Sequence, residues 1–300
     1  MHKKAYQNMT FKVINALFFL LSIVMLTNCS QKKAGETARS GQMTLAVDRQ
    51  LGDLADSQIE TFTHYYPDAR ITLLPSASGK TIKHLLDRNA RAALISGEPE
   101  AVEDSLFATM HHPLRREPVA RDAIVCIVNN MNPLSKLSLK ELKSIFSGQP
   151  DSDSITLVTA DDYRLQSMFA ASIEITKKDL NARGCSSETE LINRVVSDKK
   201  AIGLLFRSSL DEVLNTGRTA KDIRIIPLAK ETDGSPFFQP TQQNIFEGSY
   251  PLVTTVYYVY YAGDALAAGF GSWLSTTGQK AFEKSSLAPY KAFERTIILK

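Results

Sequence analysis

Cysteine and histidine are scarce in this sequence, which has three cysteines and five histidines in 300 residues. His111 and His112 are adjacent, but no other histidines have the spacing of a metal site, so we expect no bound metal. Cys126 lies inside the apolar run 123–128, which predicts a buried small side chain. A disulfide between Cys126 and Cys185 is left open by the sequence.

Clusters of one charge are also absent. The net charge is +3 and the basic residues are spread along the chain, so no basic stripe or zinc-finger spacing points to nucleic acid. Hydrophobic residues make up 43% of the sequence and charged residues 22%, as in globular proteins. The length is sufficient for one large or two medium domains.

The amino terminus carries a targeting pattern. Lys3, Lys4 and Lys12 precede an apolar run over residues 13–26, which is short for a transmembrane helix and typical of a secretory signal. The following Leu-Thr-Asn-Cys ends at Cys29 and resembles a bacterial lipobox. We predict a signal peptide over 1–28 and a lipid-anchored tether over 29–41, with lipidation at Cys29. A signal without lipidation is the alternative.

The next part of the chain alternates between strands and helices. Apolar segments at 43–47, 69–74 and 91–95 read as strands, and each is followed by a helical pattern. This alternation predicts a parallel α/β sheet, in which ligands bind outside the carboxyl ends of the strands.

Residues 73–81, Leu-Leu-Pro-Ser-Ala-Ser-Gly-Lys-Thr, form the segment with the strongest binding signal. A strand reaches a turn of small residues, and a helix begins at once. Unpaired N–H groups at a helix N-terminus attract anions, and the hydroxyls of Ser76 and Ser78 can add donors. Two interpretations stay open: an anion-binding loop, or an ordinary turn with Ser78 as the N-cap.

The later part of the chain predicts a second lobe. Ser138 and Glu141 have the spacing of a capping box at the start of a helix. The long apolar run 118–130 is the segment that would pass from one lobe to the other. We predict one lobe from 42–120 with about 250–300 and a second from about 121–249. The other predicted elements are strands at 155–158, 201–206, 223–228 and 250–261, a loop over 232–248 and a helix over 270–283.

Several segments, in order, resemble a known family. Residues 118–133, with Asp122 before an apolar strand that ends in Asn-Asn-Met-Asn-Pro, resemble the lobe-crossing segment of periplasmic substrate-binding proteins of phosphate ABC transporters. Residues 137–148, 195–203 and 248–252 are similar to further segments of that family. The resemblance spans about residues 45–300 and is strongest to a lipoprotein branch found in Bacteroidetes.

The resemblance implies a fold and a function. The fold is the two-lobe periplasmic binding protein fold (type II), with parallel-dominated sheets flanked by helices and a cleft between the lobes. The implied function is non-enzymatic capture of phosphate or a related oxyanion by a periplasmic, membrane-anchored monomer that delivers it to a membrane permease. No cofactor is implied. The implied ligand-binding residues are Ser76, Ser78, Gly79, Lys80, Ser96, Gly97, Asp122, Asp161, Asp162 and Tyr163.

Three positions depart from the family pattern. Ser96-Gly97-Glu98 stands where the family usually has an arginine, Asp161-Asp162-Tyr163 replaces a run such as Ser-Gly-Thr, and Val253-Thr254 replaces a second arginine. Arg121 and Arg164 are possible compensating cations, although we expect both to be solvated surface residues. The alternative function is therefore an envelope binding protein, sensor or adaptor with this fold that no longer binds phosphate.

Enzyme signatures are incomplete. Residues 78–81 end like a phosphate-binding P-loop, but Leu74 stands where its first glycine belongs. Ser197 and Lys200 have a Ser-x-x-Lys spacing without the companion motifs of penicillin-recognising enzymes. We therefore predict a binding protein and no catalysis.

Overall fold

The computed structural model describes residues 35–109, 113–148, 154–216, 221–231 and 234–291. The predicted signal peptide, Cys29 and the pair His111–His112 lie outside these residues, so the lipidation stays a prediction. Within the described ranges, no helix is both long enough and apolar enough to cross a membrane.

Apolar runs form the strands, because their alternating side chains are buried on the faces of a sheet. The strands are β1 (Gly41–Asp48), β2 (Ala69–Ser76), β3 (Ala92–Ser96), β4 (Leu114–Asn129), β5 (Leu137–Ser138), β6 (Ile155–Thr159), β7 (Arg183–Cys185), β8 (Ala201–Phe206), β9 (Ile223–Ile225), β10 (Leu228–Ala229), β11 (Val253–Tyr261) and β12 (Ala288–Pro289).

Amphipathic segments between the strands form helices that cover the sheet. The helices are α1 (Gly52–Tyr65), α2 (Ser78–Leu86), α3 (Ala101–Ala108), α4 (Leu139–Phe146), α5 (Tyr163–Ser172), α6 (Glu188–Ser197), α7 (Arg207–Thr216), α8 (Gln242–Glu247), α9 (Ala265–Leu274) and α10 (Gln279–Glu283). The capping box of α4 is confirmed, with Ser138 accepting a hydrogen bond from the Glu141 N–H and Glu141 accepting one from the Ser138 N–H.

The main sheet has the strand order β2-β1-β3-β11-β4-β8-β6-β7. Its outer strands are parallel, since β1 pairs with β2 and β3, and β6 pairs with β7 and β8. The two central strands differ: β11 is antiparallel to β3 and β4, and β4 is antiparallel to β8. The sheet is therefore mixed, with parallel outer strands on both sides of two antiparallel central strands.

Strand β4 joins the two halves of this sheet, as the run 118–130 predicted. Its first part, as far as Ala123, pairs with β11, and from Ile124 it pairs with β8. Each half has its own buried cluster: Leu45, Phe62 and Phe270 pack in the first, and Val125, Phe146 and Phe169 in the second. The lobe boundaries given above stay a prediction.

Cys126 is buried in β4, as its apolar neighbours predicted. Cys185 is buried as well, and both thiols are free. The structure thus contains no disulfide between these two residues.

Three elements differ from the sequence-based predictions. The segment 232–248, predicted as a loop, contains α8, which is capped by the Thr241 hydroxyl and ends at Gly248 with a φ of +71°. The single strand predicted over 223–228 is two short strands, β9 and β10. The helix predicted over 270–283 is divided into α9 and α10.

Part of the segment predicted as a tether is folded. Thr37 and Ser40 form a β-bridge, and Glu36 forms an ion pair of 2.7 Å with Arg91. Gly41 already belongs to β1. The chain is therefore fixed to the sheet about five residues earlier than expected.

Candidate functional site

A row of buried polar side chains follows one edge of the main sheet. Ser76, Asp48 and Ser96 end the parallel strands β2, β1 and β3, and Asp48 is paired in register with Ser76. Thr254 near the start of β11 stands opposite Asp122 of β4. The carboxyl ends of the parallel strands, where the sequence predicted ligand binding, therefore lie side by side.

Ser78 is the first residue of α2 and its side chain faces the second half of the sheet. The N-cap is Ala77, which has no side-chain oxygen, so the interpretation of Ser78 as an N-cap is wrong. The Ser78 hydroxyl instead donates a hydrogen bond of 2.8 Å to Asp162 Oδ1. Two predicted site residues, one following β2 and one following β6, are therefore in direct contact.

Arg164, in the first turn of α5, is buried between the two halves of the sheet. Its side chain is 1% exposed, which corrects the expectation of a solvated arginine. Nε donates to the Ser96 carbonyl at 3.1 Å, Nη1 donates to the Ser78 carbonyl at 2.8 Å, and Nη2 donates to Asp48 Oδ2. Arg164 thereby joins α5 to the ends of β1 and β3 and to the start of α2.

Asp48 is the anionic partner of this guanidinium. Its Oδ2 also accepts a hydrogen bond of 2.8 Å from the Ser96 N–H. Its Oδ1 is buried and has no hydrogen-bond partner among the described residues. An unpaired buried acceptor is costly, so this oxygen is one place where a ligand or a water molecule would lower the free energy of the folded protein.

Asp162 has an unusual proton affinity. Burial raises the pKa of its carboxyl group to about 7, the hydrogen bond from Ser78 opposes this change, and the nearby charge of Asp48 adds to it. Arg164 stays protonated, because Asp48 raises its pKa although burial acts in the opposite direction. The site therefore has a fixed cation and a carboxyl group that titrates near neutral pH.

Asp122 lies where β4 changes partners. Its carboxylate accepts hydrogen bonds from the Ser208 hydroxyl at 2.5 Å and from the Ala123 N–H at 2.7 Å. Burial raises its pKa to about 6, against the effect of these donors. The hydroxyl of Thr254, which shares this face, is buried without a hydrogen-bond partner in the described part of the chain.

Two glycines allow α5 to pack directly on the loops after β2 and β3. Gly97 has a φ of +83°, and a Cβ there would lie 2.2 Å from Met168 Cε. A Cβ on Gly79 would lie 3.0 Å from the Tyr163 ring. Both positions are therefore close contacts, and at Gly97 the positive φ also disfavours any residue with a side chain.

A second set of polar contacts crosses between the halves beside Arg164. Glu100 accepts hydrogen bonds from the Ser167 hydroxyl at 2.5 Å and from Lys177 Nζ at 3.0 Å. Burial acts against the charge of Glu100, yet these donors lower its pKa below the usual value. Lys177 Nζ also lies 4.6 Å from the centre of the Tyr163 ring.

A cavity of about 270 Å³ adjoins the site. It contains the predicted residues Lys80 and Asp161, which do not take part in the Ser78–Asp162 contact through their side chains. Within the described residues, no group of three or more His, Cys, Asp or Glu side chains is placed to hold a metal ion. The residues that line the cavity are Ala77, Gly79, Lys80, Glu100, Glu103, Asp161, Tyr163 and Arg164.

The structure also places at the site two residues that the sequence did not single out, Asp48 and Ser208, and it buries Arg164, which was named only as a compensating cation expected at the surface. Asp48 follows the apolar end of β1, and a carboxylate at the carboxyl end of a buried strand was a usable signal. Arg164 is in the first turn of a helix, where the macrodipole disfavours a cation unless carboxylates are near. Ser208 had no comparable signal, because only the fold brings it to Asp122.

Comparison with known proteins identifies the family. The model of the PBP superfamily domain matches residues 32–277. The chain belongs to the PBP superfamily. The fold predicted from the resemblance, the two-lobe periplasmic binding protein fold, is thereby confirmed.

Relatives within this superfamily include proteins of phosphate transport. The phosphate-binding protein PstS of Pseudomonas aeruginosa is 23% identical over 279 residues, which cover 84% of each chain. A phosphate ABC transporter substrate-binding protein from Clostridium perfringens, solved with bound phosphate, is similar with a TM-score of 0.66 and 18% identity over 84% of this chain and 100% of that one. An ABC-type phosphate transport receptor from Vibrio cholerae has a TM-score of 0.61 and 17% identity over 82% and 99%.

We predict that breaking the buried ion pair strongly destabilises the folded protein. In Arg164→Met, a side chain of similar length no longer compensates the charge of Asp48, so we expect the free energy of unfolding to fall by about 3–5 kcal/mol. Urea denaturation measures this change. Adding Asp48→Asn should recover part of the lost stability. A double variant less stable than Arg164→Met would contradict the claim that Arg164 compensates the buried charge of Asp48.

We predict that Asp162 makes the stability depend on pH. Because its folded-state pKa of about 7 lies above the ordinary value of 3.8, the folded state keeps a proton that the unfolded chain has lost. The free energy of unfolding should therefore decrease between about pH 4 and 7. Asp162→Asn should reduce this slope by up to about 1.4 kcal/mol per pH unit.

Urea denaturation at pH 5, 6, 7 and 8 tests this slope. Asp56→Asn is the matched control. It changes the formal charge by the same amount, but at an exposed position outside the site. A slope in Asp162→Asn equal to that of the wild type would show that Asp162 is ionised across the whole range.

Proposed function

We propose that this protein captures inorganic phosphate or a related oxyanion outside the cytoplasm for an ABC-type uptake system. The observation that carries the proposal is that the buried guanidinium of Arg164 donates to the Ser78 carbonyl, at the N-terminus of α2 that also carries the Ser78 hydroxyl. A hydroxyl, the N–H groups of a first helical turn and a fixed cation are the groups that stabilise a desolvated oxyanion. The relatives named for phosphate binding and transport support the same choice of ligand.

The buried carboxylate of Asp122 favours a ligand that carries a proton. A buried carboxylate accepts a hydrogen bond from a P–OH group and repels a fully ionised anion. At neutral pH phosphate carries at least one such proton. Ser208 now donates to Asp122, and its hydroxyl is the group that such a ligand would replace or share.

The cellular setting is part of the proposal. The predicted signal peptide over 1–28 and Cys29 would place a monomeric protein in the periplasm, anchored to a membrane by lipid. A membrane permease of the transporter would receive the ligand, and no catalytic step is required.

The second candidate function does not involve phosphate. The protein would instead be an envelope sensor, an adaptor or a receptor for another small ligand. One observation favours it: Asp162 and Asp48 already occupy the donors of Ser78 and Arg164. In this case the contacts that an oxyanion would make are supplied by the chain itself.

We predict that phosphate binds and that Ser78 contributes to its affinity. Isothermal titration of the full-length chain in detergent should give saturable binding of phosphate. Ser78→Ala removes a donor to a charged ligand and should weaken the affinity about tenfold or more. Ser57→Ala, an exposed serine of α1, is the matched control. Absence of binding up to millimolar phosphate would exclude phosphate uptake and favour the second candidate.

We predict that Cys29 anchors the protein. Cys29→Ser removes the thiol that a lipid would modify, so the protein should move from the membrane fraction to the soluble fraction. Cell fractionation with immunoblotting measures this, and Cys126→Ser is the control cysteine. A variant that stays in the membrane fraction would argue against lipidation.

A further inference from the structure

The Ser78 hydroxyl, which the proposed function assigns to the ligand, is held by a carboxylate of the chain itself. Asp162 Oδ1 accepts its hydrogen bond at 2.8 Å, and the main-chain oxygen of Asp161 lies 3.4 Å from the same hydroxyl. The same Oδ1 also accepts from the Leu165 N–H at 3.4 Å, because Asp162 is the N-cap of α5. Its carboxylate thus has a defined position at the start of α2.

The neighbouring residue covers the rest of this loop. The Tyr163 ring lies over Gly79, so close that a Cβ on the glycine would be 3.0 Å from it. Asp162 and Tyr163 therefore cover the two residues, Ser78 and Gly79, through which the loop would contact an anion. Asp162 and Tyr163 follow β6 in the second half of the sheet, and the loop that they cover follows β2 in the first half.

A carboxylate and an oxyanion compete for the same donors. Both carry negative oxygens that accept hydrogen bonds from hydroxyls and from helix N-termini, so they cannot share the single Ser78 proton. An ionised Asp162 would also repel an anion placed beside it, and this repulsion is strong where water is excluded.

We propose that Asp162 is an internal competitor for the oxyanion: its carboxylate occupies the ligand position on Ser78 and sets the affinity and selectivity of the site. This inference rests on the proposed function, because it names the residue that limits binding at that same site. Asp162 is a specificity-determining residue here, and it does no chemistry. The ligand binds when Asp162 is displaced from Ser78 or is neutralised.

The surroundings of Asp162 make neutralisation accessible. With a pKa of about 7, raised by burial, the carboxyl group of Asp162 gains or loses its proton around neutral pH. With Asp162 protonated, the charge beside Ser78 is lost and Arg164 is left with Asp48 as its main partner. The charged groups near Asp162 are Asp48 on β1 and Arg164 on α5. Along the adjoining cavity they are Asp161, Lys80 on α2, Glu100 at the N-cap of α3 and Glu103 on α3.

The experiment is a titration of the full-length chain with inorganic phosphate at pH 5.5 and pH 8. It compares the wild type with Asp162→Asn, which keeps the shape and the helix cap, and with Asp162→Ser, which keeps the cap and vacates the position. Asp56→Asn is the charge-matched control. The quantity measured is the ratio of variant to wild-type affinity at each pH, in which the titration of phosphate itself cancels.

We expect both Asp162 variants to bind phosphate at least about tenfold more tightly than the wild type at pH 8, as removal of one adjacent like charge predicts. At pH 5.5 the ratio for Asp162→Asn should approach one, because the wild-type side chain is then neutral too. The control should stay within about twofold of the wild type at both values.

Two results would overturn the inference in distinguishable ways. If the wild type binds phosphate and both variants, folded by thermal melting, match it at pH 8, then Asp162 does not compete and the proposed function stands. If neither the wild type nor any variant binds at either pH, then no oxyanion site exists and the proposed function fails as well. Tight binding by the variants alone would support the inference, because Asp162 would then block the site, and would exclude phosphate uptake by the wild type.

Discussion

The ion pair between Arg164 and Asp48 is the interaction on which the arrangement of the site depends. Both side chains are almost fully buried, and an unpaired charge in that position would cost several kcal/mol. The guanidinium is satisfied only where the Asp48 carboxylate, the Ser96 carbonyl and the Ser78 carbonyl converge. Because these groups belong to one half of the sheet and Arg164 to the other, the pair fixes how the two halves meet.

This constraint explains features that seem unrelated in the sequence. An arginine in the first turn of α5 opposes the helix macrodipole, and the carboxylates of Asp48 and Asp162 remove that conflict. Glycine is favoured at position 97 by its φ of +83°, and Met168 of the same helix packs against it. The hydrogen bonds from Ser167 and Lys177 to Glu100 then continue the contact along α5 and beyond.

The sequence predicted the scaffold better than the site. Strand and helix periods located β1 to β4 and the capping box of α4, because burial patterns and local hydrogen bonds depend on residues that are close in the sequence. The role of Asp122 at the crossing was implied only by the family resemblance. The helix over Gln242–Glu247 was missed because Pro, Gly and Gln around it resemble a loop, whereas a threonine cap and a buried Ile245 form a helix in the folded chain. Ser78 and Asp162 were both named, but their contact joins residues 84 positions apart and depends on how the halves pack.

One of the three expected departures from the family pattern has a direct physical consequence in the structure. Where the resemblance implies a hydroxyl-rich run, the chain has Asp161-Asp162-Tyr163, and the Asp162 carboxylate accepts the hydrogen bond of the Ser78 hydroxyl. Most donors and acceptors of the candidate site are therefore paired with each other. Three atoms of the described buried side chains have no hydrogen-bond partner: Asp48 Oδ1, Thr254 Oγ1 and Arg121 Nε. They include both acceptors and donors. A ligand that replaced the internal contacts would also need hydrogen-bond donors and acceptors. A protonated oxyanion has both, whereas a fully ionised one has acceptors only.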